Sequence, residues 1–411
     1  MTSLPTCLGC GAPLTRTFVD LGMQPLANSY VRPEHAITPD KVYPLHARVC
    51  DVCLLVQVDR VVPPEDIFSE DYAYFSSFSQ SWLDHCRRYV DLMVSRFGLN
   101  AQSQAVEIAS NDGYMLQYMI AAGVPSLGIE PAAGVAEAAR AKGVPTEIAF
   151  FGLETARRLV ADGYAADLLA SKNVLAHVPD INDFAAGIAA MLKPNGVYTV
   201  EFPHLLNLIR LVQFDTIYHE HFTYLSLLAI ERIFERHGLR VFDVAEVPTH
   251  GGSLRVFACR VDATHAPSGS VALMREKEIA AGLDRPSGYA GFTARVGMVR
   301  DDLLRFLKEA KAEGEQIVGY GAAAKGNTLF NYCGITPEDI PLVCDRSPAK
   351  QGKLLPGSRI PIVPPEAIVE ARPDYVFIVP WNLRDEILGQ LSFVREWGGR
   401  FVTAIPHISV T

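Results

Sequence analysis

The chain has 411 residues, of which 49% are hydrophobic and 20% charged, a composition typical of a folded protein rather than a disordered one. A chain of this length exceeds what one compact core usually holds, so two or three domains are expected. The formal net charge is −9 and the sequence pI is near 5.7. This acidic balance argues against nucleic acid as the main partner, because phosphate backbones are bound by basic surfaces.

The N-terminal stretch MTSLPTCLGCGAPL has neither the basic n-region nor the apolar h-region of a secretory signal. No apolar run approaches the length that spans a bilayer. We therefore expect a cytoplasmic protein without a membrane partner. Structural disulfides are rare in that reducing compartment, so the cysteines need another explanation.

Four cysteines occur as two C-x-x-C pairs, CLGC (Cys7 and Cys10) and CDVC (Cys50 and Cys53). Two such pairs can close a tetrahedral four-thiolate zinc site, and four unligated thiols are the alternative. With sulfur at all four positions the metal has no open site, so a structural Zn²⁺ is expected. We predict that residues 1–70 form a small zinc-binding module, because so short a segment buries little core by itself.

From about residue 100, buried strands such as AVEIAS and GVYTVEFP alternate with amphipathic helices. This alternation predicts a Rossmann-like, doubly wound α/β sheet with ligand sites at the carboxyl ends of its strands. We assign residues 71–300 to this domain. Its leading segment, SEDYAYFSSFSQSW, carries Tyr72, Tyr74 and Ser77 and is either a ligand-contacting loop or a packed one.

The first strand of this domain ends in VEIASNDGYML, which places Glu107, Asn111, Asp112 and Gly113 where the strand meets its helix. Gly113 would let the backbone approach a ligand closely. One strand later, GIEP places Glu130 where an acidic residue can accept both hydroxyls of a ribose. Because the G-x-G-x-x-G pattern is absent, an adenosyl ligand without phosphates, such as S-adenosylmethionine, fits best. A generic α/β loop is the alternative.

A second Rossmann-like α/β domain is predicted for residues 301–411, with a helix in RDDLLRFLKEAKAEG and then a strand and the turn GYGAAAKGNT. Lys325 and Asn327 in this turn, with Asp345 and Lys353 after the next strand, could meet a phosphate. The turn departs from the Walker pattern, so ATP hydrolysis is not expected. Tight helix–strand packing is the alternative for the turn, and a solvated side chain for Lys353.

The segment DTIYHEHFTYLS concentrates imidazole, carboxylate and phenol groups. His219 and His221 would share a face only on a strand, a spacing that suits a metal poorly. On a helix, His221 would neighbour both Tyr218 and Tyr224. An imidazole beside a phenol can remove a proton next to a ketone and stabilise the enolate that forms. A solvated polar strip is the alternative.

Within this segment His221 is the preferred base, with Tyr218 as a donor to the enolate oxygen. Glu220 could orient an imidazole or bind a sugar amine. His177, in NVLAHVPD, lies at a predicted strand end and is a second candidate for acid–base chemistry. A hydrogen-bonded core histidine is the alternative for His177.

The motifs EIASNDGYML, GIEP and NVLAHVPD resemble the cofactor-binding motifs of class I S-adenosylmethionine-dependent methyltransferases. With CLGC…CDVC, YHEHFTYLS, THGGSLRVF and GYGAAAKGNTLFNYCG, nearly the whole chain is similar to the sugar C-methyltransferases of deoxysugar pathways. The resemblance implies cofactor contacts from Ser171 and Asn173. It also implies a catalytic hydroxyl from Tyr72, substrate contacts from Tyr74 and Ser77, and a nucleotide-diphosphate site in the C-terminal domain.

The resemblance implies methylation at C-3′ of a dTDP-3-amino-4-keto-2,3,6-trideoxyhexose through an enolate. The expected partner is thus a dTDP-linked 4-keto deoxysugar, and the chain is expected to be a monomer or weak oligomer. Methyl transfer to a sugar hydroxyl or amine is one alternative. A nicotinamide-dependent oxidoreductase that uses GYGAAAKG is another.

Overall fold

The computed structural model describes residues 4–62, 76–78 and 80–411, and Tyr72 and Tyr74 lie outside them. The strands are β1 (Arg16–Pro25), β2 (Val42–Val49), β3 (Val56–Val58), β4 (Ala105–Ile108), β5 (Ser126–Ile129), β6 (Thr146–Glu147), β7 (Ala166–Lys172), β8 (Leu192–Pro203), β9 (Thr223–Tyr224), β10 (Leu239–Val247), β11 (Ser253–Arg260), β12 (Ile317–Tyr320), β13 (Val343–Cys344), β14 (Ile362–Val363), β15 (Tyr375–Ile378), β16 (Arg400–Thr403) and β17 (Ser409–Val410).

Helices cover the sheets or connect their strands. They are α1 (Gln80–Phe97), α2 (Leu116–Ala121), α3 (Ala133–Ala141), α4 (Leu153–Ala161), α5 (Ile181–Met191), α6 (Leu205–Arg210), α7 (Leu227–Arg236), α8 (Gly269–Ala280), α9 (Phe292–Glu313), α10 (Ala324–Cys333), α11 (Ala367–Ala371) and α12 (Arg384–Gln390). In the described part of the chain no helix has the length and apolar character to cross a membrane.

The N-terminal sheet is antiparallel, with the strand order β1-β2-β3-β9. Its fourth strand, β9, arrives from far downstream, and Val56 lies opposite Tyr224. The residues just before β9 are therefore held between this sheet and the cofactor domain.

The central sheet has seven strands in the order β10-β11-β8-β7-β4-β5-β6. Strands β4 to β8 pair in parallel, while β11 pairs antiparallel with both β8 and β10. Every residue of β4 and β5 is buried, as expected for strands covered on both faces. The carboxyl ends of β4, β5 and β7 meet at one edge, so the doubly wound α/β fold is confirmed.

The C-terminal sheet has the order β14-β13-β12-β15-β16-β17 and is parallel except for its last pair. The helix expected in RDDLLRFLKEAKAEG is present, but it begins earlier, at Phe292. Apolar residues continue the helical spacing upstream, and Phe292 stacks on Phe18 of β1 with ring centroids 4.4 Å apart. The early start thus buries an aromatic side chain against the N-terminal sheet.

Candidate active site

The two C-x-x-C pairs come together as predicted. The Sγ atoms of Cys7 and Cys53 lie 3.3 Å apart, those of Cys10 and Cys50 lie 3.5 Å apart, and all four fall within 4.8 Å of one another. In a tetrahedral zinc–thiolate site with bonds of about 2.3 Å, the sulfur atoms are about 3.8 Å apart. The hydrogen bond from Cys7 lowers the pKa of Cys53 to about 5, which favours the thiolate. The four cysteines are positioned for a metal.

The loop after β4 faces the carboxyl end of β5. Ala109, Asn111 and Gly113 all adopt positive φ in this loop, which folds it tightly over the strand ends. The carboxylate of Glu130 accepts hydrogen bonds from the backbone N–H groups of Asn111 (3.0 Å) and Ala132 (2.8 Å). Burial raises the pKa of Glu130. The loop and the acidic residue predicted to hold the adenosyl ligand are therefore adjacent.

Gly113 is also required by packing within the cofactor loop. A Cβ at this position would lie 2.8 Å from Cγ2 of Val144, and the φ of +76° favours glycine, while close approach of a ligand to this backbone stays a prediction. Asp112 is buried and forms an ion pair of 2.8 Å with Lys142. Lys142 also donates to the hydroxyl of Ser77, which places Ser77 beside the cofactor loop.

The other predicted cofactor residues occupy the ends of β4 and β7. Glu107 is fully buried, and burial raises its pKa to about 8. The hydroxyl of Ser171 lies 2.6 Å from that of Tyr198, so Ser171 is engaged within the protein. Asn173 has a φ of +56°, and its side-chain nitrogen lies 3.4 Å from both ring nitrogens of His250.

The candidate catalytic segment is a turn, not the helix that we predicted. A short 3-10 turn ends at Thr216, and the chain then crosses to β9. Phe222 fixes this crossing, because its N–H donates to Ala176 and its carbonyl accepts from Val58. Pairing with the N-terminal sheet thus overrides the local helical spacing.

The turn nevertheless brings Tyr218 and His221 into the expected contact. The hydroxyl of Tyr218 lies 2.8 Å from Nε2 of His221, and Nδ1 of His221 lies 2.9 Å from the carbonyl of Thr216. A carbonyl can only accept, so Nδ1 carries the proton and Nε2 of the neutral ring accepts from Tyr218. Burial, and then the charge of His177, hold the pKa of His221 well below its usual value. His221 is therefore a neutral imidazole whose basic nitrogen is covered by a phenol.

His177 and Glu220 complete this group. The rings of His177 and His221 lie 4.6 Å apart at 70°, and Nδ1 of His177 donates to the carbonyl of Glu220 over 2.8 Å. Burial lowers the pKa of His177 and raises that of Glu220 to about 7. Each of these side chains keeps part of its surface open to solvent although protein surrounds it. They line a cleft.

The C-terminal residues predicted to bind a nucleotide diphosphate divide into two groups. Lys325 points toward the catalytic turn, with Nζ 4.5 Å from the centre of the Trp381 ring. The other three residues lie apart from that turn in their contacts. The amide of Asn327 donates to the carbonyl of Ala27, and the carboxylate of Asp345 accepts from the N–H of Ala322. Lys353 is partly exposed.

Three family models match successive parts of the chain. They describe a zinc binding domain (residues 7–68), a methyltransferase domain (residues 82–244) and a C-methyltransferase C-terminal domain (residues 248–406). The C-methyltransferase NovU of Streptomyces niveus is 37% identical over 401 residues, which are 98% of this chain and 95% of the relative. The chain belongs to this C-methyltransferase family.

The protein is thus an S-adenosylmethionine-dependent C-methyltransferase. Among solved structures it is similar to magnesium protoporphyrin IX methyltransferase (ChlM) of Synechocystis with bound SAH, at 14% identity, 48% of this chain, 91% of that chain and a TM-score of 0.36. A methyltransferase of Mesorhizobium loti shares 15% identity over 43% of this chain and all of that chain, with a TM-score of 0.35. The family assignment rests on the family models and on NovU.

Around the candidate site lie further residues to which the sequence analysis gave no role. Asn28 donates to Glu220, and Tyr30 donates from its hydroxyl to the carbonyl of Ala322 over 2.6 Å. His250 lies in the motif THGG, which we used only for the family resemblance. That motif, with two glycines after a histidine, was a usable signal, whereas nothing near Asn28 or Tyr30 indicated their contacts.

Proposed function

We propose that this methyltransferase acts on C-3′ of a dTDP-3-amino-4-keto-2,3,6-trideoxyhexose, as in a pathway to a branched sugar of the D-tetronitrose type. The hydrogen-bonded pair of Tyr218 and His221 carries the proposal. A neutral imidazole whose Nδ1 is held by Thr216 presents Nε2 as a base, and a phenol beside it can serve a ketone oxygen. Both substrates are cytoplasmic metabolites, so the cytoplasm is the proposed compartment.

In this proposal the substrate takes over the hydrogen bond of Tyr218. The Tyr218 hydroxyl turns from Nε2 of His221 to the C-4′ oxygen, and Nε2 then removes the C-3′ proton. The electron pair of the broken C–H bond moves onto the C-4′ oxygen as the enolate, which Tyr218 stabilises. His177 holds the carbonyl of Glu220 and with it the turn. Tyr72 remains a proposed second donor.

The cofactor would be held by Glu130 and by the loop that contains Asn111 and Asp112, with Asn173 at the end of β7. Bound there, S-adenosylmethionine supplies an electrophilic methyl group. Glu220 would receive the 3-amino group. Lys353 and the small-residue turn before α10 would receive the diphosphate, while Lys325 faces the reacting sugar.

Labelled S-adenosylmethionine and a panel of dTDP-4-keto sugars test this function, with the product analysed by mass spectrometry and NMR. A new carbon–methyl signal at C-3′ is expected. Solvent deuterium should also enter C-3′ when transfer is blocked, because only the carbon route passes through an enolate. A methyl group on oxygen or nitrogen would overturn the proposal.

A further inference from the structure

Trp381 lies just beyond the carboxyl end of β15 and contacts two charged side chains near the candidate site, Asp215 and Lys325. Its indole N–H donates a hydrogen bond of 2.7 Å to Oδ2 of Asp215. The face of the same ring lies 4.5 Å from Nζ of Lys325, which is anchored by Asn382. One side chain of the C-terminal domain thus bridges a carboxylate and an ammonium group.

Asp215 opens the segment that carries the proposed base. It is fully buried, and the next residue, Thr216, supplies the carbonyl that orients His221. A second tie from the C-terminal domain follows at once, because Thr328 of α10 donates from its hydroxyl to the carbonyl of Ile217 over 3.0 Å. The C-terminal domain therefore holds the turn just before Tyr218.

Trp381 also contacts the turn that presents His250. His250, Gly251 and Gly252 have φ values of +54°, +85° and +105°. Glycine adopts such values freely, whereas His250 can hold a positive φ only where its surroundings enforce it. A Cβ at Gly251 would lie 2.4 Å from Cη2 of Trp381, so the backbone lies directly against the indole. This places the His250 imidazole edge-on to Trp82, at 5.4 Å, and beside Asn173.

We propose that Trp381 is a positioning residue for methyl transfer, which fixes the turn of Tyr218 and His221 through Asp215 and the imidazole of His250 through Gly251. The C-terminal domain then contributes to the chemical step and not only to binding of the nucleotide. The inference rests on the proposed function for the identity of that step.

The test compares the full-length wild type with Trp381→Phe, which keeps an aromatic ring beside Lys325 but removes the indole N–H and the Cη2 and Cζ3 atoms that lie against Gly251. We expect kcat to fall about 10- to 100-fold, because a small displacement of a base costs that much. The dissociation constant of S-adenosylmethionine and the KM of the sugar should change less than about twofold, since only interactions made in the transition state are lost.

Trp397→Phe is the matched control. Trp397 donates from its indole to the carbonyl of Pro373 in the same domain, over 3.1 Å, and its ring lies against Phe393 with the ring centroids 5.9 Å apart. Its kcat should equal that of the wild type. Asp215→Asn keeps an acceptor for Trp381. In the double variant, the loss of kcat should be smaller than the sum of the losses, as free energies, in Asp215→Asn and Trp381→Phe.

An unchanged kcat in Trp381→Phe, or an equal loss in Trp397→Phe, would overturn the inference, as would full additivity with Asp215→Asn. These results are independent of deuterium entry at C-3′ in the wild type. Absence of that exchange would overturn the enolate route and leave the comparison of tryptophan variants intact.

Discussion

Nδ2 of Asn28 donates a hydrogen bond of 2.8 Å to Oε2 of Glu220, which joins the N-terminal module to the candidate catalytic turn. Burial raises the pKa of Glu220 to about 7, and this hydrogen bond opposes the rise because it favours the carboxylate. The charge of a side chain next to His221 is therefore set partly from the zinc-binding module. That module therefore helps to build the candidate site.

A pH dependence of substrate binding follows from Glu220. Its folded pKa is raised, so the carboxyl is protonated below about pH 7 and gains its charge above. The KM of the 3-amino sugar should therefore fall as pH rises through that value, and Glu220→Gln should remove the dependence. Asn28→Ala should move the midpoint upward. KM measured across the pH range with and without the 3-amino group checks this, because the analogue without the amine should show no such change.

His221→Asn should lower kcat by about 100- to 10,000-fold, the usual contribution of a general base. The dissociation constant of S-adenosylmethionine should stay the same, because Glu130 and the loop after β4 are untouched. The pKa of His221 lies well below its usual value. The kcat of the wild type, measured against pH, should therefore show no decrease near pH 6.5 that is due to protonation of this residue. A variant with the wild-type turnover would transfer the role of base to Tyr218, Glu220 or His177.

Replacement of zinc by cadmium should leave kcat within about twofold of the zinc enzyme, because four thiolates leave no coordination position for substrate. Removal of the metal, or Cys50→Ser, should instead lower the melting temperature and raise the KM of the sugar, since the module carries Asn28 and Tyr30. Metal analysis, thermal unfolding and steady-state kinetics on the same preparations separate the two effects. A kcat that follows the identity of the metal would contradict a structural role.

The alternation of strands and helices in the cofactor domain was predictable from the sequence, because buried strands and amphipathic helices differ in the period of their apolar residues. The start of α9 was not, since the apolar spacing from Phe292 onward is satisfied by contact with Phe18, a residue far away in the sequence. The joining of β9 to β3 was invisible for the same reason. A strand of only two residues, Thr223 and Tyr224, carries no period that would indicate it.

In the candidate site, the pairing of Tyr218 with His221 was predictable, although the helix that we used to predict it is absent. A turn and a helix both bring residues three apart together. Asn28 and Trp381 could not be predicted, because their contacts with Glu220 and Asp215 join distant parts of the chain. Lys325 was assigned to the diphosphate from its loop and from the family resemblance, and nothing in that loop indicated that its Nζ would lie 4.5 Å from the centre of the Trp381 ring.

A stability prediction concerns Glu201, which is buried beside the candidate site. Its carboxylate forms ion pairs with Lys172, with Arg255 at 2.8 Å and with His85 at 2.7 Å. Burial alone would raise the pKa of Glu201, but the cations hold it well below its usual range. Glu201→Gln leaves two buried cations without their carboxylate. It should lower the free energy of unfolding by about 3–5 kcal/mol at neutral pH. Thermal and urea unfolding of both proteins measure the difference.

The sign of the pH effect follows from the lowered pKa of Glu201. The stabilisation is present above about pH 4.5, the ordinary value for this group, and is lost as pH falls toward the folded pKa. The difference in the free energy of unfolding between the wild type and Glu201→Gln should therefore become smaller as the pH falls below about 4.5. Glu137→Gln is the control, because Glu137 forms an exposed ion pair with Arg140 and should change stability by less than about 0.5 kcal/mol. Equal, small effects of both variants at neutral pH would show that the buried cluster does not stabilise the fold through its carboxylate.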